Sequence, residues 1–211
     1  MTPSRRTVAL ALSLAALAPA ALAATALSAE DQALVDKATA YLQGLDEAKG
    51  RFVQTDFRGQ TTEGEFFMKR PGKARFAYDP PSGLIVVSDG AAVTVADSRL
   101  MTFTRYPLGA TPLDLFLART IRLDRGVVIT GVERQGNAFT IVARDGHRKT
   151  AGQLALTFTD NPMQLTSWAA TDAQGRTTRV RLIGLSRTSG LDKALFVPKD
   201  PRRATKAAIR P

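Results

Sequence analysis

Arg70 stands in a Lys69-Arg70-Pro71 corner between two apolar runs, Phe66-Phe67-Met68 and Arg75-Phe76-Ala77-Tyr78. At a two-residue period it shares phase with Phe66 and Met68, which turns its side chain toward the apolar side. A guanidinium there needs hydrogen-bond acceptors, because an unpaired polar group among apolar neighbours is costly. Orphaned carbonyls at a helix end could supply them. The competing reading is an arginine at a strand end that simply reaches water. Either way the chemistry is fastening, not bond-making. His147 is the sole histidine, in a hairpin-like Asp145-Gly146-His147-Arg148, and there is no cysteine. A thiol nucleophile and a thiolate metal site are thereby excluded, and a metal site would rest on carboxylates alone. No Gly-x-Ser-x-Gly elbow or phosphate-binding glycine loop occurs. The carboxylates Asp56, Glu63, Glu65, Asp79, Asp89 and Asp97 fall mostly at strand ends and turns, where capping and solvation are their usual work. No catalytic residue, metal or cofactor is expected.

The elements that must hold this corner are mostly strands. Ser28 with Asp31 reads as a capping box opening a helix to about Glu47, with Leu34, Ala38, Tyr41, Leu42 and Leu45 on one face and Gly50 as its stop. From Arg51 the period becomes two. Ten or eleven short runs follow, punctuated by Asp89-Gly90, Gly136-Asn137, Asp145-Gly146 and Gln174-Gly175, the pattern of an antiparallel barrel or strongly curled sheet. Its candidate inward residues are Phe52, Phe66, Met68, Phe76, Tyr78, Val93, Val95, Met101, Phe103, Leu154, Leu156 and Phe158. A phase slip after Leu182 predicts a bulge near Leu182 or Gly184. One helix interrupts the strands at Thr111–Arg119, with Pro112 at its first position. Leu113, Leu115, Phe116 and Leu117 cover more than one of its faces, so it is either a core plug or a movable lid.

A chain of 211 residues suits one domain. Arg5-Arg6, the apolar run Val8 to Leu17 and Ala21-Leu22-Ala23 predict a cleavable leader over residues 1–23, with Sec and twin-arginine routes both open. The formal charge of +10 drops to +8 without Arg5 and Arg6. Export argues against nucleic acid and for an anionic membrane surface or an acidic partner. Residues 24–198 are expected to fold, and 199–211 to form a basic, disordered tail.

Taken in order, Arg51-Phe52-Val53-Gln54, Gly64-Glu65-Phe66, Lys69-Arg70-Pro71-Gly72-Lys73, Arg75-Phe76-Ala77-Tyr78, Val87-Ser88-Asp89-Gly90, Thr111-Pro112-Leu113, Thr171-Asp172-x-x-Gly175-Arg176-Thr177-Thr178 and Phe196-x-x-Pro198 resemble the LolA family of periplasmic lipoprotein carriers. The resemblance implies an α+β, mainly β fold: an incomplete, strongly curved antiparallel β-barrel of about eleven strands covered by a helical lid. It implies a cavity for the acyl chains of lipoproteins, lined by the inward residues above, with Leu113, Phe116 and Leu117 in the lid. It implies that Arg70 latches the closed lid through backbone carbonyls. The implied partners are acylated lipoproteins, an inner-membrane lipoprotein-releasing ABC transporter and an outer-membrane acceptor, with the carrier acting as a periplasmic monomer. One departure is Ala74, where better-known members have an aromatic residue implicated in handling the cargo or its transporter. The alternatives are a binding module for another lipid, a sensor of mislocalised lipoproteins, or an esterase or glycosidase with a carboxylate pair.

Overall fold

The computed structural model describes residues 27–111, 113–123, 127–145 and 152–202. The expected leader, Pro112, His147 and residues 203–211 lie outside them. The chain opens with helix α1 (Ala29–Gln43), whose N-cap Ser28 accepts a hydrogen bond from the Asp31 amide and donates to its carboxylate. Helix α1 ends earlier than Gly50, at Gly44, whose amide reaches the Ala40 and Leu42 carbonyls. Gly50 instead sits inside the first strand. The buried stripe is Val35, Ala38 and Leu42, with Leu34 and Tyr41 packed beside it and Leu45 buried just past the helix.

Eleven strands follow: β1 (Glu47–Thr55), β2 (Thr61–Lys69), β3 (Lys73–Tyr78), β4 (Leu84–Asp89), β5 (Ala92–Asp97), β6 (Thr102–Pro107), β7 (Val127–Gln135), β8 (Ala138–Asp145), β9 (Gln153–Thr159), β10 (Gln164–Thr171) and β11 (Thr177–Arg187). They form one antiparallel sheet in the order β6-β5-β4-β3-β2-β1-β11-β10-β9-β8-β7. The first and last strands pair in its middle, and β6 and β7 remain unjoined edges, so the barrel is incomplete. Between β6 and β7 the chain makes a 3-10 turn (Leu108–Ala110) and helix α2 (Leu113–Leu117). Bulges bend the sheet, as bulges do. One pairs Lys49 with Ser186 and Arg51 with Ile183, so Gly184 and Leu185 together oppose Gly50. Gly184 takes φ 62°, and the buried phase steps from Leu182 to Leu185 while Ile183 points out. That is the slip visible in the sequence.

Residues directly paired across strands share a face. Following the register from Phe52 through Gly64, Tyr78, Phe76, Val86 and Val95 in one direction assigns these to the concave side. In the other direction Leu182, Val180, Trp168, Leu156, Phe158, Ile141 and Phe139 join them. Helices α1 and α2 cover this side, and one continuous core runs from Val35 and Leu42 through Phe52, Phe66 and Met68 to Leu156 and Phe158. Gly64 faces Phe52 across the strands, and its missing side chain leaves the Phe52 and Tyr78 rings edge-to-face at 5.0 Å. A Cβ at Gly64 would also lie 2.1 Å from the Ala77 carbonyl oxygen.

Two expected lining residues fall elsewhere. Phe103 pairs with Ala96 on the convex face, and its ring lies under the Arg202 guanidinium at 5.7 Å. Met101 occupies the β5–β6 turn with φ 54° and is exposed. Alternation alone could not see that the turn and the strand that follows place both off the concave side. The convex face has a smaller core of its own. The 3-10 turn Lys193–Phe196 lies across β3 and β4, and Phe196, Val87, Ala96 and Thr94 are all buried. Arg75 donates to the Leu195 carbonyl at 3.1 Å. Arg202, four residues into the expected tail, makes three hydrogen bonds to Asp200 of the same segment while its guanidinium lies over Phe103. The Thr94 hydroxyl, 1% exposed, has no hydrogen-bond partner. Thr94→Val keeps the shape and removes a dehydrated hydroxyl, so it should raise stability by about 1 kcal/mol. Thermal unfolding checks this, and an unchanged or lower Tm contradicts it.

Candidate functional site: an apolar hollow closed by an arginine clamp

The cis Arg70-Pro71 corner between β2 and β3 brings Arg70 under the C-terminal end of α1. Its side chain is 3% exposed. Nε donates to the Leu45 carbonyl at 3.1 Å, Nη2 to Gln43 at 2.8 Å and to Leu42, and Nη1 to Ala118 beyond α2 at 3.4 Å. The guanidinium thus gathers carbonyls at and just past a helix end, where backbone partners run out and the macrodipole also favours a cation. Helix α1 has no basic residue in its last turn, and Arg70 supplies the charge from another element. Burial lowers the Arg70 pKa, and Asp46 at 3.9 Å partly offsets this.

Three further contacts secure the same closure. The Gly72 amide donates to the Leu117 carbonyl at 2.8 Å. Gln43 bridges α1 to the segment after α2, donating to the Arg119 carbonyl at 3.1 Å and accepting from the Ile121 amide at 2.8 Å. Behind the corner, Lys69 pairs with Glu47 at 2.7 Å and holds that carboxyl below its ordinary pKa. Glu47 in turn accepts from the Leu191 amide at 2.8 Å. The far end of α1 is tied by ion pairs, Arg134 with Asp31 and Lys37 with Asp160. Gly72 stood in the sequence only as part of the Lys69–Lys73 stretch, with no contact of its own assigned, and the Gln43 bridge has no motif that would reveal it.

Beside the clamp lies an apolar hollow of about 170 Å³, lined by Leu113 and Phe116 of α2, Leu154 and Leu156 of β9, and Trp168 and Ala170 of β10. Of the expected lining residues, Leu154 and Leu156 face it. Phe158 shares their strand face but packs beneath α1, stacked on Phe139 at 5.4 Å and edge-on to Tyr41 at 6.2 Å. Phe52, Phe66 and Phe76 interlock at 4.9–5.4 Å on the concave side, with Tyr78 joined to them and Met68 and Val93 in the same core. Val95 is half-buried. Leu117 is buried at the α2 end. Trp168 was missed: the alternation around it is weak, and no spacing rule marks it. Ala74 pairs with Met68 and Ser88 on the concave side and is 1% exposed, so it presents no external docking surface in this state. The Thr111 hydroxyl donates to Leu108 instead of capping α2. Among the described residues no group of three or more His, Cys, Asp or Glu is placed to hold a metal.

The Tyr78 hydroxyl donates to Gln54 at 2.7 Å, and burial pushes its pKa up to about 12. The fold therefore favours the protonated phenol. That contribution is fully present below about pH 10, the unfolded value, and is lost as pH rises through about 12. Tyr78→Phe should make stability fall less steeply between pH 10 and 12 than in the parent chain. Parallel denaturant titrations measure the difference, and identical slopes refute it.

Residues 43–199 match the family described as "Outer membrane lipoprotein carrier protein LolA". The chain belongs to the LolA family. Relatives named outer-membrane lipoprotein carrier protein include those of Azotobacter vinelandii, 29% identical over 81% of this chain and 86% of the relative, and Alcanivorax borkumensis, 29% identical over 76% and 81%. Among solved structures, a DUF1329 family protein from Desulfovibrio piger superposes with a TM-score of 0.51 at 11% identity, covering 79% of this chain and 96% of its own. An uncharacterized conserved protein from Thermus thermophilus gives 0.50 at 14%, covering 82% and 96%. These two share the fold alone.

Proposed function

We propose that this chain shields the acyl chains of lipoproteins in the hollow under α2 and carries them through the periplasm from the inner to the outer membrane. The observation that carries the reading is the pairing of an apolar hollow with a buried arginine whose hydrogen bonds end on both covering helical segments. Each methylene removed from water contributes about 0.8 kcal/mol. Full enclosure of several long chains would exceed the roughly 18–21 kcal/mol at which non-covalent affinity saturates, and cargo so bound would not leave. A partial, openable enclosure meets both needs. At 170 Å³ the hollow is below the roughly 300–1,000 Å³ of pockets that enclose a small ligand, so enclosing more than part of one chain requires α2 to move, with Arg70 acting as its latch.

In this reading residues 1–23 are an export leader, 24–198 the carrier domain and 199–211 a basic extension. The inner-membrane ABC transporter supplies cargo and an outer-membrane acceptor takes it. Purification from the native periplasm followed by mass spectrometry of what co-elutes tests it directly. Triacylated lipoproteins are the expected companions. Free lipids alone would replace lipoprotein with another lipid as cargo, and acyl-substrate turnover abolished by one carboxylate substitution would replace the carrier with an esterase.

A further inference from the structure

The concave side is not one space. Over β9 and β10 lies the open hollow. Over β1 to β3 the Phe52, Phe66, Phe76 and Tyr78 rings fill their own volume, with Phe52 and Phe66 at most 1% exposed. Trp168 stands between the two. Its indole is 6.2 Å from Phe66 and 5.9 Å from Phe76 on one side, and 5.9 Å from Phe116 of α2 on the other, while also lining the hollow. Phe116 rides on the covering helix, so the Trp168–Phe116 contact can part only when α2 lifts. The Arg70–Ala118 and Gly72–Leu117 bonds resist that lift from the residues immediately after Phe116.

We propose that Trp168 and Phe116 form an internal partition that sets how many acyl chains the carrier accepts in each state. With the clamp closed, part of one chain lies along Leu154, Leu156 and Trp168, and its remainder stays outside the hollow. Further chains enter only after Phe116 leaves Trp168 and the aromatic side can repack around them. The inference rests on the acyl-carrier reading and adds an order of loading to it. The physical reason is volume. Aromatic rings at 5–6 Å separation leave no channel, whereas the hollow already lacks occupying atoms.

The chain holds a single tryptophan, so its emission reports the partition without labelling. Palmitate and a synthetic triacylated lipopeptide are titrated into the parent chain, Arg70→Leu and Phe116→Ala, with binding followed by calorimetry and tryptophan emission in parallel. Palmitate should bind all three and shift the emission, and any change the substitutions make to its own affinity is the reference for the lipopeptide. Beyond that reference, the lipopeptide should bind both variants about tenfold or more tightly than the parent, because the closed state taxes it more. Equal gains for palmitate and lipopeptide in the variants overturn the partition while leaving the carrier reading intact. Palmitate binding by calorimetry with no change in emission overturns it as well. No binding of either probe to any of the three overturns the carrier reading, and the partition with it.

Discussion

Arg70→Leu should keep its hold on acylated protein but lose delivery, with transfer to acceptor membranes falling at least tenfold. The substitution preserves bulk while removing every donor from a side chain that is 3% exposed and bonded to Leu42, Gln43, Leu45 and Ala118. Hydrogen bonds to a charged group contribute about 1.5–3 kcal/mol each. Two of good geometry, to Gln43 and Leu45, already bias the closed state by several kcal/mol. Turning a two-state equilibrium from 1:99 to 99:1 takes about 5.5 kcal/mol, so a clamp of this strength can govern the position of a lid. Without it the open state dominates, chains are held without the restoring force that expels them, and release fails. Arg70→Lys should fall between, since one ammonium cannot span four carbonyls as a planar fork does. Release of radiolabelled lipoprotein from carrier to acceptor membranes measures the effect. Normal delivery by the leucine variant would sink the latch.

Phe158→Ala should be the more damaging change to the fold. Phe158 is 0% exposed and lies between Phe139 and Tyr41, fastening α1 to β8 and β9. Truncating such a ring costs about 3–5 kcal/mol, transfer energy and residual cavity together. For a domain of this size that lowers Tm by on the order of 10 °C. Leu154→Ala, two turns of the strand away on the same face, should cost far less. It borders a hollow that exists already, so truncation enlarges a space instead of creating one. Thermal unfolding of the two variants side by side decides the point. Similar losses would mean that the hollow is as tightly packed as the core.

Alternation placed Leu154, Leu156 and Phe158 on one face correctly, yet these three residues do different work. Phe158 packs under α1 and the two leucines face the hollow, because α1 covers only one end of β9. Strand period encodes a face; it carries nothing about what lies over that face. The same limit explains Phe103 and Met101. Both obey the apolar pattern, and one packs on the convex side under Arg202 while the other turns out to solvent.

What the sequence determined by itself is the local physics. Period-two runs and turn residues specified ten or eleven antiparallel strands in a barrel or curled sheet, of which the fold has eleven; Ser28 with Asp31 specified the start of α1, and the slip after Leu182 specified a bulge near Leu182 or Gly184, found at Gly184. The phase of Arg70 with Phe66 and Met68 left two readings open, an inward arginine in need of acceptors and a strand-end arginine reaching water, and the family resemblance pointed to the first. Only the tertiary structure decided which acceptors. Most are carbonyls at the end of α1, twenty-five to twenty-eight residues upstream, and just one belongs to the segment after α2. Trp168 likewise acquired its place between hollow and aromatic core only when the sheet curled and brought β10 over against β2 and β3. Carbonyl acceptors are the same atoms in every residue, and ring contacts across a curved sheet join positions about a hundred residues apart. Neither leaves a local mark in the chain, which is why the need of a buried Arg70 for acceptors could be raised in advance and its partners could not be named.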